Sequence, residues 1–484
     1  MNDALPFTRR DVLKAGAAGG LVIGLVIPAA NRFAQAAEGA PAAALKLPPP
    51  NAFLRIGSDD SVTVQLAHSE MGQGIWTALP MLVAEELDAD WSKLKVEHAA
   101  AAPVYAHTIY GMQMTGGSSS TWSEFERYRQ AGAMARALLL QAAAQKLGVS
   151  PAQCRTEQGQ VICGEKRLRY GELAEAAAAL PAPKRVVLKE PKDWKLIGKA
   201  TKRLDTPEKI TGRAQFGMDV QFEGLKTAVV ARPPVFGASV KSLDASKAKA
   251  VPGVRAVVQV PSGVAVVADH FWAAKLGRDA LAIDWNPGPH AALDSEALMT
   301  DFRRLAGSRG RDAAKGGNVA QTMQQSKKRF DVEYQVPYLA HAPMEPLNCT
   351  VKLGKDRCEI WTGTQFQTLD QMVAAQITGL KPEQVQIHTT FLGGGFGRRA
   401  TPTSDFVSEA VHVAKASGLP VKTVWTREDD IRGGYYRPAY LHRVRVGVDS
   451  EGRPQAWHHS VVGQSIIAGT PMEPLMIKDG IDLT

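Results

Sequence analysis

Glycine-rich loops separate short apolar strands from amphipathic helices along this chain, which restricts it to a mixed, loop-rich fold. The clearest loop is residues 393–399, Gly-Gly-Gly-Phe-Gly-Arg-Arg, which follows a predicted strand and precedes a predicted helix. Glycine lets the backbone approach a ligand closely, and two adjacent arginines can pair with phosphate. The pattern therefore predicts an anion-binding loop, with an ordinary flexible turn as the alternative.

The sequence lacks the common nucleotide and metal motifs. Arg398 occupies the position of the third glycine of a dinucleotide fingerprint, and no P-loop pattern occurs. The four cysteines lack iron–sulfur or zinc spacing, and His341 has no second histidine at zinc-binding spacing. The net charge of +9 is spread along the chain without a basic block, so nucleic acid is not an expected partner.

The chain is long enough for two to four folded domains, with 484 residues of which 45% are hydrophobic and 22% charged. Hydrophobic periodicity predicts both helices and strands, which together indicate mixed α/β units. The predicted strands are 53–56, 62–66, 227–231, 254–260, 264–268, 359–362 and 385–390, and the predicted helices are 77–87, 124–147, 271–280, 368–378 and 403–417. Residues 288–330 are interpreted as a polar connection.

The N-terminus has the features of an export signal. Arg9-Arg10 precedes a weakly apolar run at 15–30, and Ala34-Gln35-Ala36 is a predicted cleavage site. This pattern resembles a twin-arginine signal, whose route carries folded, cofactor-loaded proteins, so we expect a periplasmic protein. The apolar run is short for a membrane span; an uncleaved anchor is the alternative, and no stable span is expected once 1–36 is removed. An Ala/Pro-rich linker is predicted at 37–50.

Two further loops and one glutamine fit a ligand site. Residues 70–74 lie between a predicted strand and a predicted helix, and there the amide of Gln73 stands between two glycines where nothing shields it from a ligand. Residues 115–120 precede a predicted helix, whose free N–H groups can bind an anion. Gln365 lies 31 residues before Phe396, a strand–helix–strand length that brings two strand ends to one sheet edge. A tight turn, a plain helix cap and a surface glutamine are the respective alternatives, and Glu345 is interpreted as a structural carboxylate.

Six segments together resemble the xanthine oxidase family of molybdenum hydroxylases. They are 70–74 (EMGQG), 116–118 (GGS), 203–212 (RLDTPEKITG), 344–346 (MEP), 364–365 (TQ) and 393–397 (GGGFG). In that family the EMGQG element usually follows GGGFG, whereas here it comes first, an order that resembles the exported, isoquinoline-oxidising branch. The resemblance implies a multidomain α+β fold in which permuted molybdopterin-binding segments flank an a/b hammerhead domain.

The same resemblance implies domain boundaries. Residues 51–195 would be a segment of the second molybdopterin-binding domain, moved to the N-terminal side. Residues 205–290 would form the a/b hammerhead domain, where no chemistry is expected. Residues 330–484 would be the first molybdopterin-binding domain, incomplete at its C-terminus.

The expected cofactor is molybdopterin cytosine dinucleotide, with no protein ligand to the metal. The resemblance implies that Gln365 hydrogen-bonds an oxo ligand of molybdenum and that Phe396 lines the metal and its pterin. The implied cofactor-binding residues are Gly72, Gln73, Gly74, Gly117, Ser118, Ser119, Gly394, Gly395, Gly397 and Arg398. The loops at 72–74 and 117–119 would hold the phosphates through N–H and hydroxyl groups.

The implied reaction is hydroxylation of an isoquinoline-like N-heterocycle or an aldehyde, with water as the oxygen source. Electrons would leave through 2Fe-2S clusters on a small partner subunit, because this chain has no clustered cysteines; a cytochrome c is a candidate acceptor. The family's general-base glutamate lies in a Gly-x-Gly-Glu loop, a pattern absent from this sequence. We therefore expect a C-terminally truncated or complemented chain. An inactive fragment and a non-catalytic periplasmic binding protein are the alternatives.

Overall fold

The structure is a computed structural model that describes residues 20–23, 53–470 and 473–482. The predicted linker and signal segment lie outside these residues, apart from Gly20–Ile23, which forms a strand. Helices and several separate sheets confirm the predicted α+β fold. The chain divides into two compact units: unit 1 contains Met1–Gln221 and Gly354–Gly394, and unit 2 contains Phe222–Leu353 and Gly395–Thr484. The predicted domain boundaries stay predictions.

The strands of the described residues follow in chain order. They are β1 Gly20–Ile23, β2 Leu54–Gly57, β3 Val62–Leu66, β4 Leu94–His98, β5 Cys154–Glu157, β6 Gln160–Cys163, β7 Lys166–Arg169, β8 Lys226–Ala231, β9 Ser239–Asp244, β10 Val254–Val260, β11 Gly263–Ala268, β12 Ala282–Asn286, β13 Lys328–Val336, β14 Leu339–Ala340, β15 Asn348–Leu353, β16 Cys358–Thr362, β17 Val385–Thr389, β18 Val421–Val424, β19 Tyr436–Arg437, β20 Tyr440–Val448, β21 Pro454–Gly463, β22 Ile477–Lys478 and β23 Ile481–Asp482.

The α-helices of the same residues are α1 Ile75–Leu87, α2 Ser120–Leu147, α3 Tyr170–Ala178, α4 Thr206–Ile210, α5 Ser246–Lys249, α6 Phe271–Asp279, α7 Ser295–Ala306, α8 Val319–Gln325, α9 Gln367–Thr378, α10 Asp405–Ser417, α11 Arg427–Arg432 and α12 Glu473–Met476. None of the helices in these parts of the chain is long and apolar enough to cross a membrane.

Unit 1 is built around a sheet in the order β1-β2-β3-β4, antiparallel except for the parallel pair β3 and β4. Its apolar core combines strand residues such as Leu54 and Val64 with Leu79 of α1 and Leu139 of α2. A small antiparallel sheet, β5-β6-β7, carries a disulfide between Cys154 and Cys163, which are register partners on β5 and β6. The parallel pair β16 and β17, connected through α9, also belongs to unit 1.

Unit 2 contains the strand order β10-β11-β8-β18-β15, in which β8 and β18 run parallel and the other neighbours antiparallel. Valines and alanines of these strands form its core together with Val413 of α10. A separate antiparallel sheet, β13-β20-β21, packs one face against α7, where Phe302 contacts Leu441. The predicted strand at 254–260 is confirmed to the residue.

The interpretation of residues 288–330 as a polar connection is wrong, because α7 and α8 form there. Asp294 caps α7 by accepting hydrogen bonds from Glu296 N and Ala297 N. Leu298 and Phe302, four residues apart, place an apolar stripe on the core side of this otherwise polar helix. The polar composition of the segment hid a helix whose amphipathic spacing was visible in the sequence.

Candidate functional site

The loop at residues 70–74 joins β3 to α1, as the sequence predicted. Gly72 and Gly74 have φ angles of 114° and 96°, in the left-handed region that only glycine adopts without strain. Gly74 is the N-cap of α1, where helix N–H groups lack intrahelical partners. The local conformation therefore explains why the motif carries glycine at these two positions.

Glu70 organises this loop. Its side chain is fully buried, and Oε1 accepts hydrogen bonds from Gly72 N at 2.8 Å and Gly74 N at 3.2 Å. Oε2 accepts from Trp76 N at 2.9 Å, in the first turn of α1. A carboxylate at a helix N-terminus satisfies free N–H groups and interacts favourably with the helix dipole. Glu70 is thus a structural anion that fixes the loop.

Gln73 closes the loop with both ends of its amide. Its Oε1 accepts from Met71 N at 2.7 Å, and its Nε2 donates to Ser69 O at 2.8 Å. The N–H groups of Gly72 and Gly74 donate to Glu70, so in this arrangement they are not free to hold a phosphate. A Cβ added at Gly72 would contact nothing within 4 Å. The predicted cofactor-binding roles of Gly72, Gln73 and Gly74 stay predictions.

The Arg203–Gly212 segment holds Glu70 from outside the loop. Arg203 donates to Glu70 Oε1 at 3.0 Å, to Gly72 O at 3.0 Å and to both oxygens of Asp205. Lys209 donates to Asp205 Oδ2 at 2.6 Å. Burial alone would raise the pKa of Asp205, but the hydrogen bonds from Arg203 and Lys209 lower it to about 2. Two cations and two buried carboxylates therefore form one closed network.

The predicted loop at residues 115–120 precedes α2. Gly117 and Ser118 have positive φ angles of 63° and 53°, and both residues are exposed. Ser119 is buried, and its Oγ donates to Gly116 O at 2.7 Å and lies 2.8 Å from His107 Nε2. The Ser119 hydroxyl is therefore committed to the protein. Of the two serines, Ser118 is the one that is exposed to a ligand. The cofactor-binding roles predicted for Gly117, Ser118 and Ser119 stay predictions.

Two histidines, His107, which is buried, and His98, which is partly buried, support these loops, and the sequence analysis missed them. His107 Nδ1 accepts from Ile109 N and Tyr110 N, so its Nε2 carries the hydrogen that is donated to Ser119. Burial lowers the pKa of His107 to about 4, which keeps this neutral form. His98 Nε2 accepts from Glu70 N, and burial lowers the pKa of His98 to about 4 as well. His107 lies eight residues before Thr115 and His98 lies 24 residues after Gly74, so neither forms a recognisable spacing with the motifs.

Hydrogen bonds bring three of the motif segments together within unit 1. Ser69 N donates to Thr115 Oγ1 at 2.8 Å, and Ser69 Oγ donates to Thr364 O at 2.6 Å. Thr115 N donates to Gln365 O at 2.8 Å. Leu392 N also donates to Glu70 O at 3.1 Å, so the segment that follows β17 and leads to Gly393 reaches the same place. Segments separated by about 250 residues in sequence thus form one site.

Gln365 lies at the centre of this convergence, after β16 and just before α9. Its side chain is 1% exposed, and Nε2 donates to Thr115 O at 2.9 Å. Its Oε1 is buried and has no hydrogen-bond partner within the described residues. An unpaired buried polar atom is unfavourable by about 1–3 kcal/mol, so this atom fits a site that a polar ligand completes. The catalytic role predicted for Gln365 stays a prediction.

The remaining predicted residues lie where the chain passes from unit 1 to unit 2. Gly394, with a φ of 98°, ends the unit 1 segment, and Gly395 begins the next. Phe396 has a φ of 55° and its side chain is 72% exposed. Gly397 has a φ of 94°, and a Cβ there would contact nothing within 4 Å. An exposed aromatic ring beside an open glycine is compatible with the predicted lining of a cofactor.

Both arginines of this loop are buried and paired inside unit 2. Arg398 forms two hydrogen bonds with Asp405, at 3.0 and 2.7 Å, while its Nε is buried without a hydrogen-bond partner in the described residues. Arg399 donates to Glu345 Oε2 at 3.1 Å and to Glu345 O. Burial lowers the pKa of the Arg399 guanidinium. Glu345 is thus a structural carboxylate, as interpreted, and the cofactor-binding role predicted for Arg398 stays a prediction.

Comparison with protein families identifies the family of this chain. Two family models, each described as "Molybdopterin cofactor-binding domain", match residues 26–225 and 306–478. The matches include the EMGQG, GGS and GGGFG segments. The chain belongs to the xanthine oxidase family of molybdopterin-binding proteins. The predicted family resemblance is therefore confirmed.

Individual relatives of this family member cover most of its length. It is 34% identical to the isoquinoline 1-oxidoreductase subunit beta of Brevundimonas diminuta over 87% of this chain and 60% of that protein. It is 31% identical to the membrane-bound aldehyde dehydrogenase [pyrroloquinoline-quinone] of Gluconacetobacter polyoxogenes over 90% of this chain and 57% of that protein. The chain thus spans roughly three fifths of these relatives' length.

The chain is also similar to a solved structure over about half of its length. Quinoline 2-oxidoreductase from Pseudomonas putida 86 aligns with 55% of this chain and 39% of its own, at a TM-score of 0.44 and 18% sequence identity.

Between residues 53 and 470, and in the two short described segments, no group of three or more His, Cys, Asp or Glu side chains is arranged to hold a metal ion.

Proposed function

We propose that this chain is the molybdopterin-binding part of a molybdenum hydroxylase-type oxidoreductase. The substrate would be an N-heterocyclic aromatic of the isoquinoline type or an aldehyde, the classes named in its two relatives. Water would supply the oxygen. The proposal on substrate rests on these names, because the residues that contact a substrate differ among members of one fold.

The observation that carries the proposal is the buried amide of Gln365. The Nε2–Thr115 hydrogen bond fixes the orientation of this amide, and the unpaired Oε1 and the second Nε2 hydrogen remain for a ligand. Within unit 1, the open Gly72 and the exposed Ser118 add places where a cofactor can approach the backbone. These residues fit a pterin cofactor with phosphates.

When bound, the molybdenum cofactor would supply the two-electron redox chemistry that hydroxylation needs. Gln365, whose side chain is 1% exposed, would orient it through a hydrogen bond. Phe396 would offer its exposed ring as an apolar surface against a flat ligand. Glu70 and Glu345 would not act as the general base, since each is held by a guanidinium group, Arg203 and Arg399 respectively.

The first experiment is the molybdenum content of the purified full chain, produced in a host that makes the cytosine dinucleotide cofactor. We expect close to one molybdenum per chain, with CMP released on acid hydrolysis. The variant Gln365→Ala should lower the content severalfold. Gln371→Ala is the matched control, because Gln371 on α9 donates to Val385 O away from the motifs. Wild-type protein without molybdenum would contradict the proposal and favour a cofactor-free fragment.

The substrate class and the oxygen source need a separate assay. The molybdenum-loaded protein, with any copurifying subunit, would be offered isoquinoline and an aldehyde together with an artificial electron acceptor. Incorporation of ¹⁸O from labelled water into the product would support hydroxylation with water. Incorporation from labelled dioxygen instead would contradict it.

We also propose that electrons leave through a small 2Fe-2S subunit and then a cytochrome c. Cys154 and Cys163 are joined in a disulfide, and Cys349 and Cys358 are buried, so these four residues do not form a cluster site. Tagged chain should copurify a small subunit that contains iron and acid-labile sulfide. Full reduction of an added cytochrome by the isolated chain alone would contradict this electron path.

Export by the twin-arginine route is proposed on Arg9-Arg10, the Ala34-Gln35-Ala36 site and the disulfide. Disulfides form and persist in oxidising compartments such as the periplasm. Arg9→Lys together with Arg10→Lys should leave the precursor in the cytoplasm with Cys154 and Cys163 reduced, detected by alkylation and mass spectrometry. Unchanged export of this double variant would contradict the route.

A further inference from the structure

Two histidines face each other on the β13-β20-β21 sheet of unit 2. His442 lies on β20 and His459 on β21, and the register pairs Val444 with His459 and His442 with Val461. They are therefore diagonal neighbours on the same face of the sheet, a separation that long side chains span. His442 Nδ1 and His459 Nε2 are 3.0 Å apart.

This separation matches two nitrogens that share one metal ion. With metal–nitrogen bonds of about 2.0–2.1 Å, two imidazole nitrogens lie about 2.8 Å apart in a square-planar site and about 3.3 Å apart in a tetrahedral one. The observed distance falls between these values. A direct hydrogen bond between two neutral rings is the competing explanation, and it requires a hydrogen on one of the two nitrogens.

The surroundings leave the pair accessible and favour the neutral form of His442. Trp457 and Val461, on the same face of β21, are both more than half exposed, so an ion can reach the site from solvent. Burial and the neighbouring His459 lower the pKa of His442. The neutral ring presents a nitrogen lone pair, the form in which imidazole binds metals.

We propose that His442 and His459 form a two-histidine site for a late first-row divalent ion, with water completing the coordination. Affinity for nitrogen ligands in this series is highest for Cu²⁺, so Cu²⁺ is the expected strongest binder. The bound ion would tie β20 to β21 and keep open coordination positions toward solvent. The site is independent of the molybdenum chemistry proposed above.

The test titrates the full chain with Cu²⁺ and follows binding by calorimetry and electron paramagnetic resonance. Wild type should show one site with coupling to two nitrogens. His442→Gln and His459→Gln should each weaken it by about tenfold or more, since each removes one of two ligands. His458→Gln is the matched control, because His458 pairs with Arg445 on the opposite face. Wild-type affinity and coupling in His442→Gln would overturn the proposal.

A second measurement uses wild-type protein alone and does not depend on variant folding. Diethylpyrocarbonate modifies accessible histidines, and mass spectrometry locates the modified residues. Stoichiometric Zn²⁺ should protect His442 and His459 severalfold while His458 reacts at its metal-free rate. Equal modification of all three histidines with and without Zn²⁺ would leave only the hydrogen-bonded pair and overturn the metal site.

Discussion

The two units hold their glycine-rich motif segments in different ways. In unit 1, three backbone N–H groups and the Arg203 guanidinium converge on one buried carboxylate, that of Glu70. In unit 2, the neighbouring arginines 398 and 399 pair with two separate carboxylates, Asp405 and Glu345. The first arrangement concentrates the hydrogen bonds on a single residue, and the second distributes them over several.

This difference predicts how each loop responds to substitution. A single anion that satisfies several donors leaves all of them unpaired when it is removed. Where the ion pairs are separate, a single substitution breaks only one of them. The charged residue that remains regains part of its hydration if it has access to water. We therefore expect single substitutions to affect unit 1 more strongly than unit 2.

The largest effect is expected for Glu70→Ala. It removes the acceptor of Gly72 N, Gly74 N and Trp76 N and an ion pair of Arg203. Breaking such a buried, hydrogen-bonded charge lowers the free energy of unfolding by about 3–5 kcal/mol. Urea denaturation followed by circular dichroism measures the change.

The control for this prediction is Glu157→Ala. Glu157 pairs with Arg155 on the surface, where both side chains are about half exposed or more. Such a pair contributes less than about 1 kcal/mol. Equal urea midpoints for the two variants would show that Glu70 does not organise the loop.

A smaller effect is expected for Arg398→Ala in unit 2. The variant leaves Asp405, whose side chain is 21% exposed and can take up water. It also removes a cation–π contact with Trp425. We expect the free energy of unfolding to fall by about 2–3 kcal/mol, with Arg304→Ala, an exposed pair with Asp301, near wild type. A loss larger than that of Glu70→Ala would reverse the comparison.

The sequence alone predicted the positions of these loops but not what holds them. Gly72, Gly74 and Gly397 are recognisable because a left-handed backbone favours glycine. The strands and helices predicted from periodicity form close to the predicted positions, but many short strands and helices of the described residues were not predicted. The partners of the loops come from distant parts of the chain: Thr115 meets Ser69 and Gln365, and His98 meets Glu70. Such contacts depend on the tertiary fold and leave no local spacing in the sequence.

A third prediction concerns the hydrogen bond that joins two motif segments in unit 1. Thr115→Val keeps the shape of the side chain but removes the Oγ1 that accepts from the buried Ser69 N. Leaving that N–H unpaired should lower the free energy of unfolding by about 1–2 kcal/mol. Hydrogen exchange of the Ser69 amide should accelerate by about five- to thirtyfold, given that 1.4 kcal/mol corresponds to a factor of ten.

Thr300→Val is the matched control for Thr115→Val. Thr300 lies on the exposed part of α7, and its hydroxyl donates to Glu296 O within the helix. We expect its unfolding midpoint to stay close to that of wild type, because surface substitutions away from special features change stability by less than about 0.5 kcal/mol. Unchanged Ser69 exchange in Thr115→Val would contradict the role of this hydrogen bond.

The smallest effect is a pH dependence in the network around Glu70. The pKa of Asp205 is about 2, below its ordinary value of 3.8, because Arg203 and Lys209 donate to its carboxylate. A lowered pKa adds stability that is fully present above about pH 4 and is lost as the pH falls toward 2. The gain is about 1 kcal/mol after allowance for the exposure of Arg203. Asp205→Asn should flatten the dependence of the free energy of unfolding on pH between pH 4 and 2. Asp301→Asn, on the surface, is the control and should leave that dependence unchanged. Parallel pH profiles for wild type and Asp205→Asn would show that this carboxylate is not the titrating group.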